Sequence, residues 1–436
     1  MANHTSSTAA PPGPADKLDL QLDPASFPRI ASLLRNHPDI CRVPTLSRKA
    51  DGYLLNHPDL IKRVLIDNHR NYVKGIGYER AKLLLGNGII VSDGDFWKQQ
   101  RRMVQPAFHR DMLKTLSSTI RTISLQWLER WLKLADGRQP FELNRAMSEF
   151  GLEVMLRSLF GDDLDIMIAE AGGNPFAIFT EEHERDLTLA VKFRALRQLV
   201  QRVITRRRER GLLPPDMLGA LMGARDLEGR PMADKALIDE LMTLIVAGHE
   251  TSAITLTWMW YLLSQHPEVE ARLHREVDAL DPAQAAPDFA AAEKLVYCKQ
   301  VMFETLRLYP PVWLFSRRAL QDDTLGEYRI PGGSDLFISP YYLHRREDLW
   351  PDSGRFDPER FAEAEARQHH RTSFIPFSAG PRKCIGDVLS ILEIQIHMGT
   401  IARRLVLRHV PDRPIELEPA INLRSRHPIR MIAETR

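Results

Sequence analysis

Cys384 lies in the stretch FIPFSAGPRKCIGD, Phe374 to Asp387, where glycine and proline interrupt any regular element. A structural cysteine usually behaves as a small hydrophobe among apolar neighbours. Cys384 instead follows Arg382 and Lys383 and precedes Ile385 and Gly386. Cations and exposed backbone N–H groups favour a thiolate over a thiol, and a thiolate is either a nucleophile or a metal ligand.

A second cluster is AGHETS, Ala247 to Ser252. Gly248 inside a helix costs about 1 kcal/mol relative to alanine, while Glu250 and Thr251 put an acid and a hydroxyl into an apolar stretch. Two readings stand. Thr251 can bond back to a backbone carbonyl as a tolerated packing irregularity. Alternatively, glycine lets a bulky group approach the backbone while the acid and alcohol manage protons beside it. A zinc-protease motif is excluded by spacing, because the residue four beyond His249 is Ala253.

Two further pairs share helix faces. In ETLRLYPP, Glu304 and Arg307 are three apart and can pair. Their neighbours Phe303, Leu306, Leu308 and Tyr309 predict a buried pair, which needs additional hydrogen bonds. Arg360, in FDPERF, is an available third partner. In GDFWKQQRR, Trp97 and Arg101 are four apart. They can present an indole N–H and a guanidinium to an anionic group, or form the solvated basic edge of an amphipathic helix.

The elements that must position these groups read as mostly helical. No proline separates Pro231 from Pro267, which permits one helix of about 30 residues, roughly 45 Å long. Its middle is apolar nearly all round, as in a helix crossing the centre of a large domain. Extended segments are short: GYLLNHP near 52, EYRIPGG near 327, SDLFISP near 334, and pieces after 405. Glycines and prolines mark loops between Gly172 and Pro175 and in RGLLPPDML near 210. The run TRRRER, Thr205 to Arg210, lacks interleaved aromatics and reads as a solvated helix end, not a nucleic-acid surface.

Hydrophobic content of 44% and charged content of 27% are those of an ordinary globular protein. A net charge of +2 provides no overall field for nucleic acid or an anionic membrane. The three cysteines, Cys41, Cys298 and Cys384, are too few for a disulfide framework and suit a reducing compartment. No run approaches the ~18–20 apolar residues of a membrane span, and the polar, Ala- and Pro-rich start is no signal peptide. A soluble, cytoplasmic, monomeric protein is expected: a disordered tail over 1–16, then one mainly α domain with a small β-rich region over 17–436.

Taken in order, WxxxR, AGxET, ExxR, FxPERF and FxxGxRxCxG resemble the cytochrome P450 family, and family-like text covers nearly everything from about residue 17 onward. Phe377, Gly380, Arg382, Cys384 and Gly386 fill every fixed position of the last motif. The resemblance implies the P450 fold, with haem b between the long central helix and the cysteine loop, and Cys384 as the iron ligand. Haem contacts are implied for Trp97, Arg101, Ala247, Gly248, Arg317, Phe377, Gly380, Arg382, Ile385 and Gly386. Glu250 and Thr251 are implied to deliver protons to dioxygen, and Glu304, Arg307 and Arg360 to form a structural network holding the cysteine loop. After Gly386 the chain departs from the family in having Leu389 and Ser390, and Ser390 adds a hydroxyl on the thiolate side.

The function expected is a monooxygenase acting on a lipophilic small molecule: a terpenoid, fatty acid or secondary metabolite. Electrons would come from a separate ferredoxin or flavodoxin fed by an NAD(P)H reductase. Lys98, Arg102, Arg382 and Lys383 are candidate docking cations. A peroxygenase and a non-catalytic haem sensor are the alternatives, but neither needs the Glu250–Thr251 pair. Pocket walls are expected from residues 73–91, the region around 170–190, the long helix, and PVWLFS from Pro311, with Trp313 and Phe315 near the haem.

Overall fold

The computed structural model describes residues 9–180 and 187–436. Residues 1–8 of the expected tail and 181–186 of the expected pocket region lie outside the described residues. The chain falls into two compact units: Met1–Glu79 with Phe303–Cys384 and Glu416–Arg426, and Arg80–Met302 with Ile385–Ile415 and His427–Arg436. The chain thus passes from one to the other between Cys384 and Ile385.

The first unit is built on a five-stranded sheet. Ile40–Val43 pairs antiparallel with Gly52–Leu55, which pairs in parallel with Asp335–Ile338. Phe315–Ala319 then runs antiparallel beside Asp335–Ile338, and Tyr72–Lys74 closes the far edge, antiparallel to Phe315–Ala319. Gly52–Leu55 and Asp335–Ile338 are buried at every position, as central strands covered on both faces must be. Apolar layers pack against them, one containing Leu65, Leu336 and Ile338 and another Leu54, Trp313 and Phe337. Trp313, expected in a pocket wall, is a core residue: it is fully buried edge-on to Phe27 and donates its indole N–H to the Ala420 carbonyl at 2.8 Å. Residues 9–16 run past the first strand, where the Arg42 N–H donates to the Pro12 carbonyl at 2.8 Å.

The second unit is helical around Asp234–Gln265, a single helix of 32 residues. Helix Leu143–Phe160 lies closely against it. Gly151 allows this approach, since a Cβ there would stand 2.9 Å from the His249 carbonyl oxygen. A three-stranded sheet, Phe141–Glu142, Arg430–Thr435 and Leu405–His409, flanks the bundle. Among the described residues no helix is long and apolar enough to cross a membrane.

The basic run at 205–210 corrects its sequence reading. It ends helix Leu187–Glu209, but Arg207 is buried instead of solvated. Its guanidinium donates to Asp163, to both carboxylate oxygens of Asp216 and to the Phe160 carbonyl. Two acids across the turn supply what burial of the charge requires.

A candidate haem-thiolate site

The cysteine loop is held from within. Cys384 N–H donates to the Phe377 carbonyl at 2.9 Å, and Lys383 N–H to that of Gly380 at 3.0 Å. Two residues adopt left-handed backbone, Ser378 at φ 60° and Gly380 at φ 71°. Only glycine suits the second, because a Cβ there would collide with the Leu65 carbonyl oxygen. The result is an exposed Cys384, whereas Cys41 and Cys298 are buried. Burial pushes the thiol of Cys41 up to about 11 and that of Cys298 well above its ordinary value. Neither buried thiol ionises readily, so Cys384 is the cysteine placed to be a ligand.

Behind the loop, the first unit contains the network that the spacing predicts. Glu304 and Arg307 are both fully buried, and Arg307 donates to the two Glu304 oxygens at 2.7 and 2.8 Å. Arg307 also donates to the carbonyls of His344, Ser353 and Arg355, while Glu304 accepts the Asp357 N–H. Arg360 Nε stands 3.6 Å from Glu304. The pair therefore organises the 344–357 segment directly and reaches the cysteine loop at one remove. His344 is the intermediary: its Nε2 accepts the Ile375 N–H at 2.9 Å, two residues before Phe377. Burial and the nearby Arg307 charge hold its pKa well below the ordinary value, keeping the ring neutral and Nε2 an acceptor. Nothing in the sequence near His344 marks it. Arg317, on strand Phe315–Ala319, is buried and donates to the Ser316 carbonyl at 2.9 Å.

In the second unit the long helix is buried on either side of AGHETS but opens at its centre. Ala247, Gly248, Glu250 and Thr251 are half-buried, between fully buried runs at 237–245 and 252–260. Thr251 Oγ1 donates to the Ala247 carbonyl at 3.0 Å, leaving its lone pairs to accept. Gly248 faces Met155 of helix Leu143–Phe160, whose methyl fills the volume of the missing Cβ. His249 is buried, with Nδ1 2.8 Å from the Ile245 carbonyl and its ring against Phe179. Desolvation lowers its pKa, so it packs as a neutral ring.

Trp97 is buried and Arg101 half-buried on helix Gly94–Val104. Ser390, on helix Asp387–Ile401, lies 3.2 Å from Ser252, the residue after Thr251. Next to this hydroxyl pair, Glu393 is buried and pushed up to about 8 by desolvation, with Ser252 as its hydrogen-bond partner. The Ser252–Glu393 contact joins residues far apart in sequence, and no local pattern announces it.

These donors suit haem. A cysteine that remains exposed, an accessible break in a buried helix, and an indole with arginines are what an iron ligand, a macrocycle face and propionates require. Phe377, Gly380 and Cys384 with Arg382 and Arg317 lie in the first unit, and Trp97, Arg101, Ala247, Gly248, Ile385 and Gly386 in the second.

The cytochrome P450 family model matches residues 39–171 and 173–429. Cyclooctatin synthase of Streptomyces melanosporofaciens is 36% identical, with 88% of this chain and 86% of that protein covered. Cyclooctat-9-en-7-ol 5-monooxygenase of the same organism is 33% identical over 86% and 84%, and pentalenene oxygenase of Streptomyces avermitilis 29% identical over 93% and 92%. Among solved structures, the cytochrome P450DA heme domain superposes with a TM-score of 0.84 over 98% of both chains at 23% identity, a likeness of fold. Motifs, cysteine geometry and matched length agree, and the chain belongs to the cytochrome P450 family of haem monooxygenases.

Proposed function

We propose that this monooxygenase oxidises a cyclic terpenoid, taking electrons from a separate ferredoxin or flavodoxin fed by an NAD(P)H reductase, in a cytoplasmic setting. The single observation that carries the chemistry is the exposed Cys384 on a loop closed by its own N–H to Phe377. The terpenoid class is supported by the relatives named for cyclooctatin, cyclooctat-9-en-7-ol and pentalenene. Residues 17–436 act as one catalytic domain, a reading supported by a family model that runs through both compact units.

Haem bound through the Cys384 thiolate supplies dioxygen activation, the thiolate pushing electron density that favours O–O cleavage. Cys384, Trp97, Arg101, Arg317 and Arg382 are the residues that would hold it. Thr251 Oγ1, fixed by the Ala247 carbonyl, can accept a proton at one lone pair as it gives one up. The half-buried Glu250 can exchange protons with solvent and pass them to that hydroxyl. An acid and an alcohol in this order favour oxygen-driven over peroxide-driven turnover.

The test is the difference spectrum of the reduced protein with and without carbon monoxide. A red-shifted Soret band marks thiolate ligation, and incubation with cyclic terpenes then yields hydroxylated products. A band typical of a neutral axial ligand, in folded protein, would withdraw the proposal.

A further inference from the structure

The cysteine loop has a second support within the first unit, at Gly380. Helix Pro58–Lys62 runs into a single wide turn, Arg63–Asp67, in which the Asn68 N–H reaches five residues back to the Arg63 carbonyl at 2.8 Å. Turns of this π type are rare and recur at functional sites. Here the turn aims a backbone group at the loop: the Leu65 carbonyl oxygen lies so near Gly380 that a Cβ there would stand 2.0 Å from it. Val64 and Leu65 are buried in the same apolar layer as Ile375, and Ile66 and Ala379 pack against that layer. The contact is backbone against backbone, so neither side can yield by changing a rotamer. A displacement of the turn is therefore passed to Gly380, whose carbonyl accepts the N–H of Lys383, the residue before Cys384.

One side chain holds this turn. Buried Asp323 takes the Arg63 guanidinium at 2.8 Å and the Asn68 side-chain amide at 2.9 Å. These are the two residues that close the five-residue hydrogen bond, so a single carboxylate clamps both ends of the turn. The Tyr72 hydroxyl, on the strand that follows, donates to Asp323 at 2.7 Å, and the Thr324 N–H donates to its Oδ1 at 2.9 Å. Burial works against the charge of Asp323, but the donors from Arg63, Asn68 and Tyr72 hold its pKa below the usual carboxylate value. The carboxylate is itself fixed. Asp323 opens strand Asp323–Leu325, which pairs antiparallel with Tyr328–Ile330, and Leu325 and Ile330 are fully buried. The Asn71 side chain is a separate tie from the same segment to the sheet edge, bonded to the N–H and carbonyl of Gln321.

The groups that orient a metal ligand set its donor strength and its hold on the metal. The Glu304–Arg307 pair reaches the cysteine loop before Phe377, through His344 and Ile375. The Arg63–Asp67 turn reaches it after Phe377, at Gly380, and the two routes share no residue. We propose that Asp323 is a positioning residue for Cys384: by clamping both ends of the Arg63–Asp67 turn it fixes the Leu65 carbonyl against Gly380, and with it the seating of the thiolate loop. This rests on the haem-thiolate reading above. An Asp323 that merely stabilised the sheet edge would leave the cysteine's hold on iron untouched, and the two roles separate by experiment.

Three variants of the haem-loaded protein test the assignment, read by haem transfer to excess apomyoglobin and by the ferrous–carbon monoxide spectrum. Asp323→Asn keeps the side-chain volume and removes the charge that Arg63 meets. Haem transfer should speed up about tenfold, and the ratio of neutral-ligand to thiolate band should rise by a similar factor. Arg63→Gln, at a side chain 45% exposed and so well tolerated by the fold, should move both readouts in the same direction. Asn71→Ala breaks the neighbouring tie to the sheet edge. It should lower the melting temperature by about 1–2 °C and leave both haem readouts at their natural values. Natural-level haem readouts in folded Asp323→Asn, or in Arg63→Gln where Asp323→Asn does not fold, overturn the proposal. So do changes in Asn71→Ala as large as those of the other two. A natural chain that folds and binds haem but shows only the neutral-ligand band overturns the haem-thiolate reading instead.

Discussion

Thr251 and the Glu304–Arg307 pair show how differently two polar groups earn their places. Thr251 is half-buried with its hydroxyl steered by Ala247, a geometry suited to proton hand-over. Thr251→Ala should reduce product formed per dioxygen consumed by about 10²-fold, with peroxide-driven turnover largely preserved. Parallel product and oxygen-uptake assays check this, and equal losses on both routes would remove Thr251 from proton delivery. Glu304 and Arg307 are fully buried and take part in six hydrogen bonds, two to each other, three to carbonyls and one from the Asp357 N–H. Arg307→Ala strands a buried carboxylate and should destabilise the fold by about 3–5 kcal/mol. Denaturant unfolding of the haem-loaded protein measures it.

Among the connecting elements, the cysteine loop depends on backbone that side chains cannot adopt cheaply. Gly380→Ala forces a Cβ onto the Leu65 carbonyl at a positive φ, costing about 1–2 kcal/mol from the backbone alone and displacing the loop. Haem retained after gel filtration should fall along with the melting temperature; retention at the natural level would mean the loop tolerates the shift. His344 gives a subtler outcome. His344→Leu removes the acceptor of the Ile375 N–H while leaving the Glu304–Arg307 pair intact. It should therefore broaden or shift the ferrous–carbon monoxide band more than it lowers stability.

Over the whole molecule, buried titratable groups set the pH profile. Desolvation pushes His397 down to about 3 and His274 to about 4, and holds His344 well below its ordinary value. Unfolded histidines take up protons below about 6.5 that these folded ones refuse, so the histidines contribute a stability that is lost as pH falls from there. Glu240 and Glu393 are pushed up to about 8 and Asp335 to about 6. They keep protons in the fold that the unfolded chain releases above about 4, so their contribution is lost as pH rises toward 8. The two trends offset between about 4.5 and 6.5 and act alone outside that window. The melting temperature of the haem-loaded protein should thus form a plateau at weakly acidic pH and decline on both sides. A maximum near pH 8 would contradict the burial of these acids. Lys98 on helix Gly94–Val104 is exposed although paired with Asp95, and Arg102 is exposed beside it. If they dock an acidic electron donor, reduction rates should fall as salt rises; a rate independent of salt would exclude that docking mode.

Much of the chemistry was legible because it is local. The spacing within FxxGxRxCxG, the three-residue step from Glu304 to Arg307 and the proline-free run from 231 to 267 each specify a geometry within one element. The short strands at 52–55, 328–330 and 335–338 likewise follow from short apolar runs bounded by nearby turn residues. What only the tertiary structure decided is which polar groups lose water and which partners replace it. Arg207 looks solvated in sequence and is buried because Asp163 and Asp216 arrive from other segments. Trp313 becomes core because Phe27 and Ala420 reach it. Glu240 and Thr243 lie unremarked in an apolar helix until residues 86–89 pass over them and leave one oxygen of each without a partner among the described residues. Spacing along the chain determines what a residue can do; burial by distant segments, each bringing or withholding a hydrogen bond, determines what it must do.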